Sequence, residues 1–365
     1  MIATEKTRKL ALVAMSGGVD SSLTAALLVR GGQQVVGVTM KTFCYSGVEG
    51  PSKTCCGLDG ISDAKSVAAQ LDIPHFVFDV EEEFTRDVID DFVSEYASGR
   101  TPIPCVRCNS FTKFQDLLAR ADSLGCSWLA TGHYARVDHS ATRGPQLCRG
   151  VDEKKDQTYF LWGIPRSALD RLLLPMGELT KPEVRAEARR LGLDTAEKPE
   201  SFEICFVPDN NYVGILRRYL ADDHPALSTG PVCLEDESKV GEHEGYAHFT
   251  VGQRKGLPGG FSEPMFVIAI RPDDRTVIIG PRESLEKSRL VAQGVNWLCD
   301  PPRSGELLGV RIRHGAAIVE ADVMAADQTS FELRTRLPQA AITPGQSAVL
   351  YRENVVVGGG VIMSN

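Results

Sequence analysis

The 365-residue sequence lacks the features of a membrane-spanning or secreted protein. No uninterrupted apolar run is long enough to cross a bilayer, so we expect no membrane partner. Residues 1–10 are polar and lead directly into an apolar run typical of a strand, so we expect no signal peptide. The net charge of −8 argues against a generally basic, nucleic-acid-coating surface but leaves room for a local basic face. These absences predict a cytoplasmic globular protein of two or three domains.

The ten cysteines also lack the context of a disulfide framework, because no secretion signal accompanies them. Cys105 and Cys108 form a lone Cys-x-x-Cys pair within Thr101-Pro-Ile-Pro-Cys-Val-Arg-Cys-Asn109. No second pair completes a zinc finger, so half a zinc site, a redox pair, part of an iron–sulfur site and two structural cysteines all stay open. The prolines predict a surface loop, in which Arg107 would favour a thiolate. Cys205 stands alone, as core cysteines often do.

The most informative stretch is a predicted strand, glycine turn and helix near the N-terminus. The apolar run Leu10–Met15 ends in Ser16-Gly-Gly18, and Val19-Asp-Ser-Ser22 opens a helical pattern. Glycines allow close backbone approach to a ligand, and hydroxyls together with the first helical N–H groups favour an anion. The stretch has neither the lysine of a Walker loop nor the G-x-G-x-x-G spacing of dinucleotide folds. It therefore predicts a polyphosphate site of another kind.

Strand and helix patterns alternate from Leu10 to Ala135, which predicts a doubly wound parallel sheet. Such sheets bind ligands at the carboxyl ends of their strands. From Gly230 the pattern becomes β-rich, and from Leu290 it consists of strands alone, as in a small closed β-barrel. We predict a Rossmann-like α/β catalytic domain in residues 1–212, a small β-rich central domain in 213–287 and a C-terminal β-barrel in 288–365.

Several local expectations accompany this fold. Ser62 is expected to N-cap a helix that ends at Leu71. An amphipathic helix is predicted over residues 82–96, and strands are predicted over residues 128–135 and 248–251.

The segment SGGVDSS resembles the pyrophosphatase loop of the ATP-pyrophosphatase (PP-loop) superfamily. The resemblance implies that ATP is cleaved between its α- and β-phosphates and that a substrate oxygen is adenylated. Asp20 is suited to assist Mg²⁺, which prefers carboxylates and phosphates. A glutamine-fed ligase would need a glutaminase domain, and none is evident. A lysidine-type tRNA ligase would not need the three cysteines, whereas a sulfate-nucleotide reductase stays open.

Seven blocks, in order, resemble the bacterial tRNA-specific 2-thiouridylase family, which thiolates the wobble uridine. These blocks span nearly the whole chain and read AMSGGVDSS, TPIPCVRCN, ATGHYA, KKDQTYFL, EICFVPD, FTVGQRKGL and TPGQSAVLY. The resemblance implies that Cys108 is the nucleophile and that Cys205 carries a persulfide.

The same resemblance implies three binding sets. The ATP site would comprise Ala14, Met15, Ser16, Gly17, Gly18, Val19, Asp20, Ser21, Met40 and Gly132. The segment facing the target base would comprise Ile103, Pro104 and Cys105. The tRNA contacts would comprise His133, Lys155, Asp156, Gln157, Arg313, His314 and Gln346.

Two positions depart from the family pattern. Ile103 stands where the family usually has Asn, which removes a hydrogen-bonding amide near the base. His314 stands where Tyr is common, and Cys105 is an accepted variant of a position that alternates between Asp and Cys. Neither departure touches the ATP loop, Cys108 or Cys205.

The implied reaction is ATP-dependent adenylation of the uridine 2-oxygen followed by sulfur transfer from the persulfide. It requires ATP, Mg²⁺, a tRNA with an unmodified wobble uridine, and an upstream persulfide donor such as a cysteine desulfurase or a sulfur-relay protein. In an alternative, Cys105, Cys108 and Cys205 ligate three irons of a [4Fe–4S] cluster and the fourth iron binds sulfide. A pure RNA-binding module is a third reading, but it leaves the pyrophosphatase loop unexplained.

Overall fold

The structure, a computed structural model, describes residues 9–42, 58–200, 204–207 and 211–364. The chain divides into two compact units. The first comprises Met1–Asp87, Cys105–Asn210 and Asn354–Val356, and the second comprises Val88–Pro104, Asn211–Glu353 and Val357–Asn365. The boundaries of the three predicted domains, after residues 212 and 287, stay predictions. No helix in the described ranges is long and apolar enough to cross a membrane.

The strands of the described chain are β1 Leu10–Ala14, β2 Gln34–Lys41, β3 His75–Asp79, β4 Trp128–Ala130, β5 Ala135–Asp138, β6 Gln146–Arg149, β7 Leu172–Leu173, β8 Gly230–Leu234, β9 Lys239–His243, β10 Phe266–Arg271, β11 Thr276–Gly280, β12 Glu286–Trp297, β13 Leu307–Arg311, β14 Val319–Ala326, β15 Ser330–Ala340, β16 Ser347–Arg352 and β17 Val355–Ser364. The α-helices are α1 Val19–Arg30, α2 Leu58–Gln70, α3 Glu81–Phe84, α4 Asp90–Ala97, α5 Pro104–Arg107, α6 Phe114–Ser123, α7 Lys181–Arg190 and α8 Tyr212–Tyr219. Two π-helical segments, Thr85–Ile89 and Cys108–Lys113, join α3 to α4 and α5 to α6.

The first unit is built on a five-stranded parallel sheet with the order β3-β2-β1-β4-β7. The order reverses between β1 and β4, which is where doubly wound sheets bind ligands. Buried side chains of β1 and α1, such as Val13 and Leu23, pack with Val67 of α2 and Val184 of α7. The predicted doubly wound sheet is therefore confirmed.

The second unit contains two all-β parts. One is a four-stranded sheet with the order β10-β11-β8-β9. The other has the order β12-β15-β14-β13-β16-β17 and closes on itself because β12 also pairs with β17. The predicted closed β-barrel is confirmed, and closure removes the exposed strand edges that would otherwise invite aggregation.

Local expectations were wrong at four places. Helix α2 begins at Leu58, so Ser62 lies within the helix; Asp59 in the first turn supports the earlier start because carboxylates favour helix N-termini. The strand predicted over 128–135 is interrupted after Ala130, where the chain turns at Gly132. The strand predicted over 248–251 is absent, and a 3-10 turn, Tyr246–His248, precedes that stretch.

The predicted Thr101–Asn109 loop was also wrong from Pro104 onward, because Pro104 is the first residue of α5. Proline suits the first helical turn, where its missing N–H is not needed. Cys105 and Cys108 therefore lie on helical backbone. The predicted helix over 82–96 is present, although a π-helical segment interrupts its α-helical hydrogen bonding.

Candidate active site

The glycine turn after β1 folds back on itself through serine hydroxyls. The Ser16 N–H donates to Ser21 Oγ at 3.1 Å, and the hydroxyls of Ser21 and Ser22 donate to the Gly18 carbonyl at 3.1 and 2.9 Å. Gly18 occupies the N-cap of α1, and no side-chain cap hydrogen bond is made there. The first amides of α1 are thus left for an anion rather than for a capping side chain.

The carboxyl ends of the neighbouring strands bring the other predicted ATP residues to this turn. Met40 lies near the end of β2, which pairs with β1 on one side, and Gly132 follows β4 on the other. A Cβ on Gly132 would lie 2.7 Å from the Ser21 nitrogen, so backbone packs directly on the start of α1. Met15 and Val19, on either side of the turn, are buried in the core, and Ala14 is partly buried.

Asp20 connects the glycine turn to the segment that follows β4. The Tyr134 hydroxyl donates to Asp20 Oδ1 at 2.7 Å. Burial, followed by the charge of Asp20, raises the pKa of Tyr134, so the phenol keeps its proton and remains a donor. Gln157 holds the backbone of Tyr134 from the other side, because the Tyr134 N–H donates to Gln157 Oε1 and the Gln157 N–H donates to the Tyr134 carbonyl, both at 2.9 Å.

A lysine from α7 reaches the same carboxylate. Lys181 Nζ lies 2.7 and 2.9 Å from the two carboxylate oxygens of Asp20 and 3.2 Å from Glu200 Oε1. Glu200 in turn accepts from Lys155 Nζ at 2.5 Å. Lys198 donates to the Gly17 carbonyl at 3.0 Å. Lys198 therefore contacts the glycine turn directly, whereas Glu200 is linked to Asp20 only through Lys181.

The three consecutive residues predicted to contact tRNA, Lys155, Asp156 and Gln157, differ in their solvent exposure. Lys155 is partly exposed and ion-paired with Glu200, whereas Asp156 is only 2% exposed. The Asp156 carboxylate accepts from the Thr158 hydroxyl at 2.9 Å and shapes the turn. Asp156 and Gln157 thus bond to neighbouring protein groups, and the predicted tRNA contacts of all three residues stay predictions.

His133 lies in the turn after β4 and contacts α6, the helix that follows the segment with Cys105 and Cys108. Its Nδ1 lies 2.8 Å from Thr131 Oγ1, and its ring lies 6.1 Å from the ring of Phe114. Burial, followed by the charge of Lys113, lowers the pKa of His133 to about 3. His133 is therefore neutral at pH 7, so its imidazole can take part in hydrogen bonds but carries no positive charge.

This lowered pKa gives a testable pH dependence of stability. Between pH 6.5 and about 3 the unfolded state binds a proton at this site that the folded state does not, so folding stability rises with pH in that window. We expect His133→Asn, whose amide can keep the Thr131 hydrogen bond, to reduce the loss of stability on acidification. Urea unfolding of both proteins at about pH 7 and about pH 5 measures the difference. Parallel pH profiles for the two proteins would contradict the prediction.

The thiols of Cys105 and Cys108 differ in their exposure to solvent, although both lie on helical backbone. Cys105 is exposed on α5, whereas Cys108, at the start of the π-helical segment, is only 7% exposed. Asn109 Nδ2 donates to the Phe160 carbonyl at 3.2 Å, which ties this segment to the turn after the Lys155–Gln157 triplet. π-Helical segments occur frequently at functional sites.

The Cys205 segment packs against the same helical element as the Cys108 segment. Cys205 lies in a turn closed by the Val207 N–H, which donates to the Ile204 carbonyl at 2.8 Å. The ring of Phe206 meets Phe84 of α3 edge-on, with the ring centroids 5.8 Å apart. Helix α3 also packs against residues 108–113. Both predicted sulfur-handling cysteines, present as thiols, therefore lie on segments that contact one short helix.

Cys105, Cys108 and Cys205 are also the residues of the predicted iron–sulfur alternative. No group of three or more His, Cys, Asp or Glu side chains in the described ranges is arranged to hold a single metal ion. Ligation of a [4Fe–4S] cluster, whose cysteines bind different irons, stays a prediction.

In the second unit, the segment leading to the predicted base-facing residues is held by the C-terminal barrel. Gln346 Nε2 donates to the Thr101 carbonyl at 2.9 Å, and the Thr101 N–H donates to the Pro344 carbonyl at 2.9 Å. Ile103 is half-buried and Pro104 is buried. The other predicted tRNA residues of the barrel, Arg313 and His314, are exposed between β13 and β14. Gln346 therefore contacts protein backbone in this structure.

Sequence reasoning assigned no role to Lys181, Glu200 or Tyr134, although these residues contact or extend the Asp20 site. One signal for Lys181 was present: it opens a predicted helix, where a cation opposes the helix dipole. Such a cation needs an anion nearby, but the sequence did not indicate which anion that would be.

Three family models cover most of the chain. The model for a tRNA methyl transferase HUP domain matches residues 9–209, that for a tRNA methyl transferase PRC-barrel domain matches 217–281, and that for an aminomethyltransferase β-barrel domain matches 287–362. Full-length relatives carry a different description. The chain is 46% identical over 368 residues to the tRNA-specific 2-thiouridylase MnmA of Geobacter metallireducens, covering 98% of each chain. It is 44% identical to the Salinibacter ruber protein of the same name, over 96% of this chain and 93% of that one.

Proposed function

Because this chain belongs to the tRNA-specific 2-thiouridylase family, we propose that it replaces the 2-oxygen of the wobble uridine of tRNA with sulfur in an ATP-dependent reaction. The observation that best supports this reaction is that one unit holds both the glycine turn and the two cysteine segments that pack on α3. Oxygen activation and sulfur delivery must act on the same carbon atom, so the nucleotide site and the two cysteines are needed at one site.

In the first step, ATP activates the base. The uridine 2-oxygen attacks the α-phosphorus of ATP, the bond to the β-phosphate bridging oxygen breaks, and pyrophosphate leaves. The product is an adenylated base whose 2-oxygen departs as part of AMP in the next step. The amides at the start of α1 and the residues of the predicted ATP site would bind the phosphates. Asp20 is proposed to help hold Mg²⁺, which would neutralise charge on the phosphates when bound.

In the second step, sulfur reaches C2 from a persulfide on Cys205. In one route, the terminal sulfur attacks C2 and AMP leaves; the Cys108 thiolate then attacks Cys205 Sγ, the sulfur–sulfur bond breaks, and the thiolated base is released. In the other, the Cys108 thiolate attacks Cys205 Sγ, the persulfide bond breaks, and the released sulfide attacks C2. Both routes leave a Cys108–Cys205 disulfide, which a thiol reductant must reopen before the next turnover. Disulfide formation requires close approach of the two segments, and their shared packing on α3 supports it.

The tRNA must present its wobble base outside the stacked anticodon loop, as base-modifying enzymes commonly require. Ile103, Pro104 and Cys105 are proposed to face that base, with Ile103 offering an apolar contact in place of an amide. Lys155, Arg313 and His314 are proposed to contact the RNA because they keep exposed surface. An upstream persulfide donor, such as a cysteine desulfurase or a sulfur-relay protein, is proposed to load Cys205.

The decisive experiment incubates the protein with ATP, Mg²⁺, a persulfide-donor system and tRNA that carries an unmodified wobble uridine. We expect nucleoside mass spectrometry to detect 2-thiouridine, and no product when ATP is omitted. Methylated uridine in place of 2-thiouridine would favour the activity named in the family models and would contradict the proposal. Activity that depends on a visible-absorbing cluster assembled under anaerobic conditions would contradict the persulfide route.

A further inference from the structure

Lys181 is a buried lysine at the N-terminus of a helix, and both its burial and its position are unfavourable for a positive charge. The residue is only 8% exposed and is the first residue of α7. Its position is fixed independently of its ammonium group, because Thr180 and Glu183 form a capping box and the Lys181 N–H donates to Asp152 Oδ2 at 3.0 Å. A cation at this end of a helix opposes the helix dipole, and its burial costs solvation energy. The side chain must therefore be compensated by nearby anions.

The compensation comes from the ATP-site carboxylate. Both oxygens of Asp20 lie within 2.9 Å of Lys181 Nζ, and Glu200 Oε1 lies at 3.2 Å. Asp20 belongs to the first turn of α1, whose amides are not capped by a side chain. The ammonium group of Lys181 is thus held at the helix end where a polyphosphate is expected, 161 positions along the sequence from Asp20.

Residues 14–22 contain no lysine or arginine, and Lys198, which reaches the turn from elsewhere in the chain, is bonded to the Gly17 carbonyl and ion-paired with Asp63. In Walker loops a lysine within the loop reaches the β- and γ-phosphates. We propose that Lys181 supplies this missing cation: its ammonium group contacts the β- or γ-phosphate of bound ATP and stabilises the charge that develops on departing pyrophosphate. This inference rests on the proposed ATP-dependent function.

The arrangement around Lys181 is suited to an exchange of partners. In the described structure the ammonium group neutralises Asp20 and Glu200, and Glu200 has a second cation in Lys155. When phosphates arrive, Lys181 can turn to them while Lys155 continues to neutralise Glu200. Asp20 is then left with the Tyr134 hydrogen bond and is available to a phosphate-bound cation.

The test compares the affinities of the full-length protein for ATP and AMP by isothermal titration calorimetry. AMP lacks the phosphates that Lys181 would contact, so the AMP affinity of each variant shows whether its nucleotide site is still correctly folded. We expect Lys181→Met to weaken ATP binding by about ten- to a hundredfold, the range for a lost charge-assisted hydrogen bond, and to leave AMP binding unchanged. Lys181→Arg should restore part of the ATP affinity.

Equal losses of ATP and AMP affinity in Lys181→Met would assign the lysine a structural role and overturn the inference, as would an unchanged affinity for both nucleotides. These results are distinguishable from failure of the proposed function. If the wild-type protein makes 2-thiouridine but the ATP preference is insensitive to Lys181, only the role of Lys181 fails. If the wild-type protein makes no 2-thiouridine, the proposed function fails whatever the nucleotide affinities are.

Discussion

Cys108→Ser and Cys205→Ser should each lower 2-thiouridine formation by about a thousandfold or more while ATP binding stays at the wild-type level. A serine hydroxyl keeps the size of the thiol but can neither carry a persulfide nor cleave one. The two thiols lie on segments that pack against α3, whereas the glycine turn follows β1, so the substitutions leave the proposed nucleotide site intact. Nucleoside mass spectrometry of single-turnover reactions measures the first quantity, and calorimetry with ATP measures the second.

Two further cysteine substitutions serve as controls for this prediction. Cys126→Ser alters a cysteine that is also buried but follows α6, and it should keep full activity. Cys105→Ser alters the exposed thiol on α5 and separates the two sulfur mechanisms. The persulfide route does not use the Cys105 thiol for sulfur transfer, whereas a cluster held by all three cysteines would lose one ligand. Substantial activity in Cys205→Ser would contradict the persulfide route.

Gly17→Ala should destabilise the protein by roughly 1–3 kcal/mol or more and abolish ATP binding, whereas Gly18→Ala should leave the folding stability nearly unchanged. Gly17 has φ +72°, and a Cβ there would lie 2.2 Å from the Gly60 carbonyl oxygen in the first turns of α2. Gly18 has φ −93°, and the nearest atom to its added Cβ would be Ser16 Oγ at 3.6 Å. The two substitutions therefore add the same methyl group at adjacent positions with opposite expected outcomes.

Denaturant unfolding of the two alanine variants measures this contrast in stability, and nucleotide titration measures its effect on the site. Equal stability of Gly17→Ala and Gly18→Ala would show that α2 can move away from the turn without cost and would contradict the predicted close packing. Loss of ATP affinity in Gly18→Ala at unchanged stability would instead indicate that the phosphates approach this residue closely.

The parts of the fold that were predictable are those governed by neighbouring residues. The strand, turn and helix over residues 10–30 follow from a buried apolar run, two glycines and a helical apolar pattern within one stretch of chain. The alternation of strands and helices predicted the parallel sheet, and the succession of short strands predicted the barrel. Prediction from neighbouring residues failed where one residue type has two meanings. Proline can break a helix or begin one, and Pro104, for which the sequence predicts a loop, is the first residue of α5.

The parts of the site that were not predictable depend on contacts between distant segments. Lys181 and Asp20 are far apart in sequence, and nothing near either residue identifies the other as its partner. Asp156 was predicted among the tRNA contacts through the family resemblance, but its carboxylate is buried against Thr158. A resemblance indicates that a position matters, whereas only the fold distinguishes a residue that is placed to touch a ligand from one that supports its neighbours.

Tyr134 is held at both ends, by Asp20 at its hydroxyl and by Gln157 at its backbone. One of these partners belongs to the proposed nucleotide site and the other to the proposed RNA-contacting segment. If a nucleotide at Asp20 shifts Tyr134 and so changes the affinity for tRNA by some factor, thermodynamic linkage requires tRNA to change the affinity for the nucleotide by the same factor. If that factor is favourable, each substrate increases the occupancy of the other, and the complex that holds both is favoured.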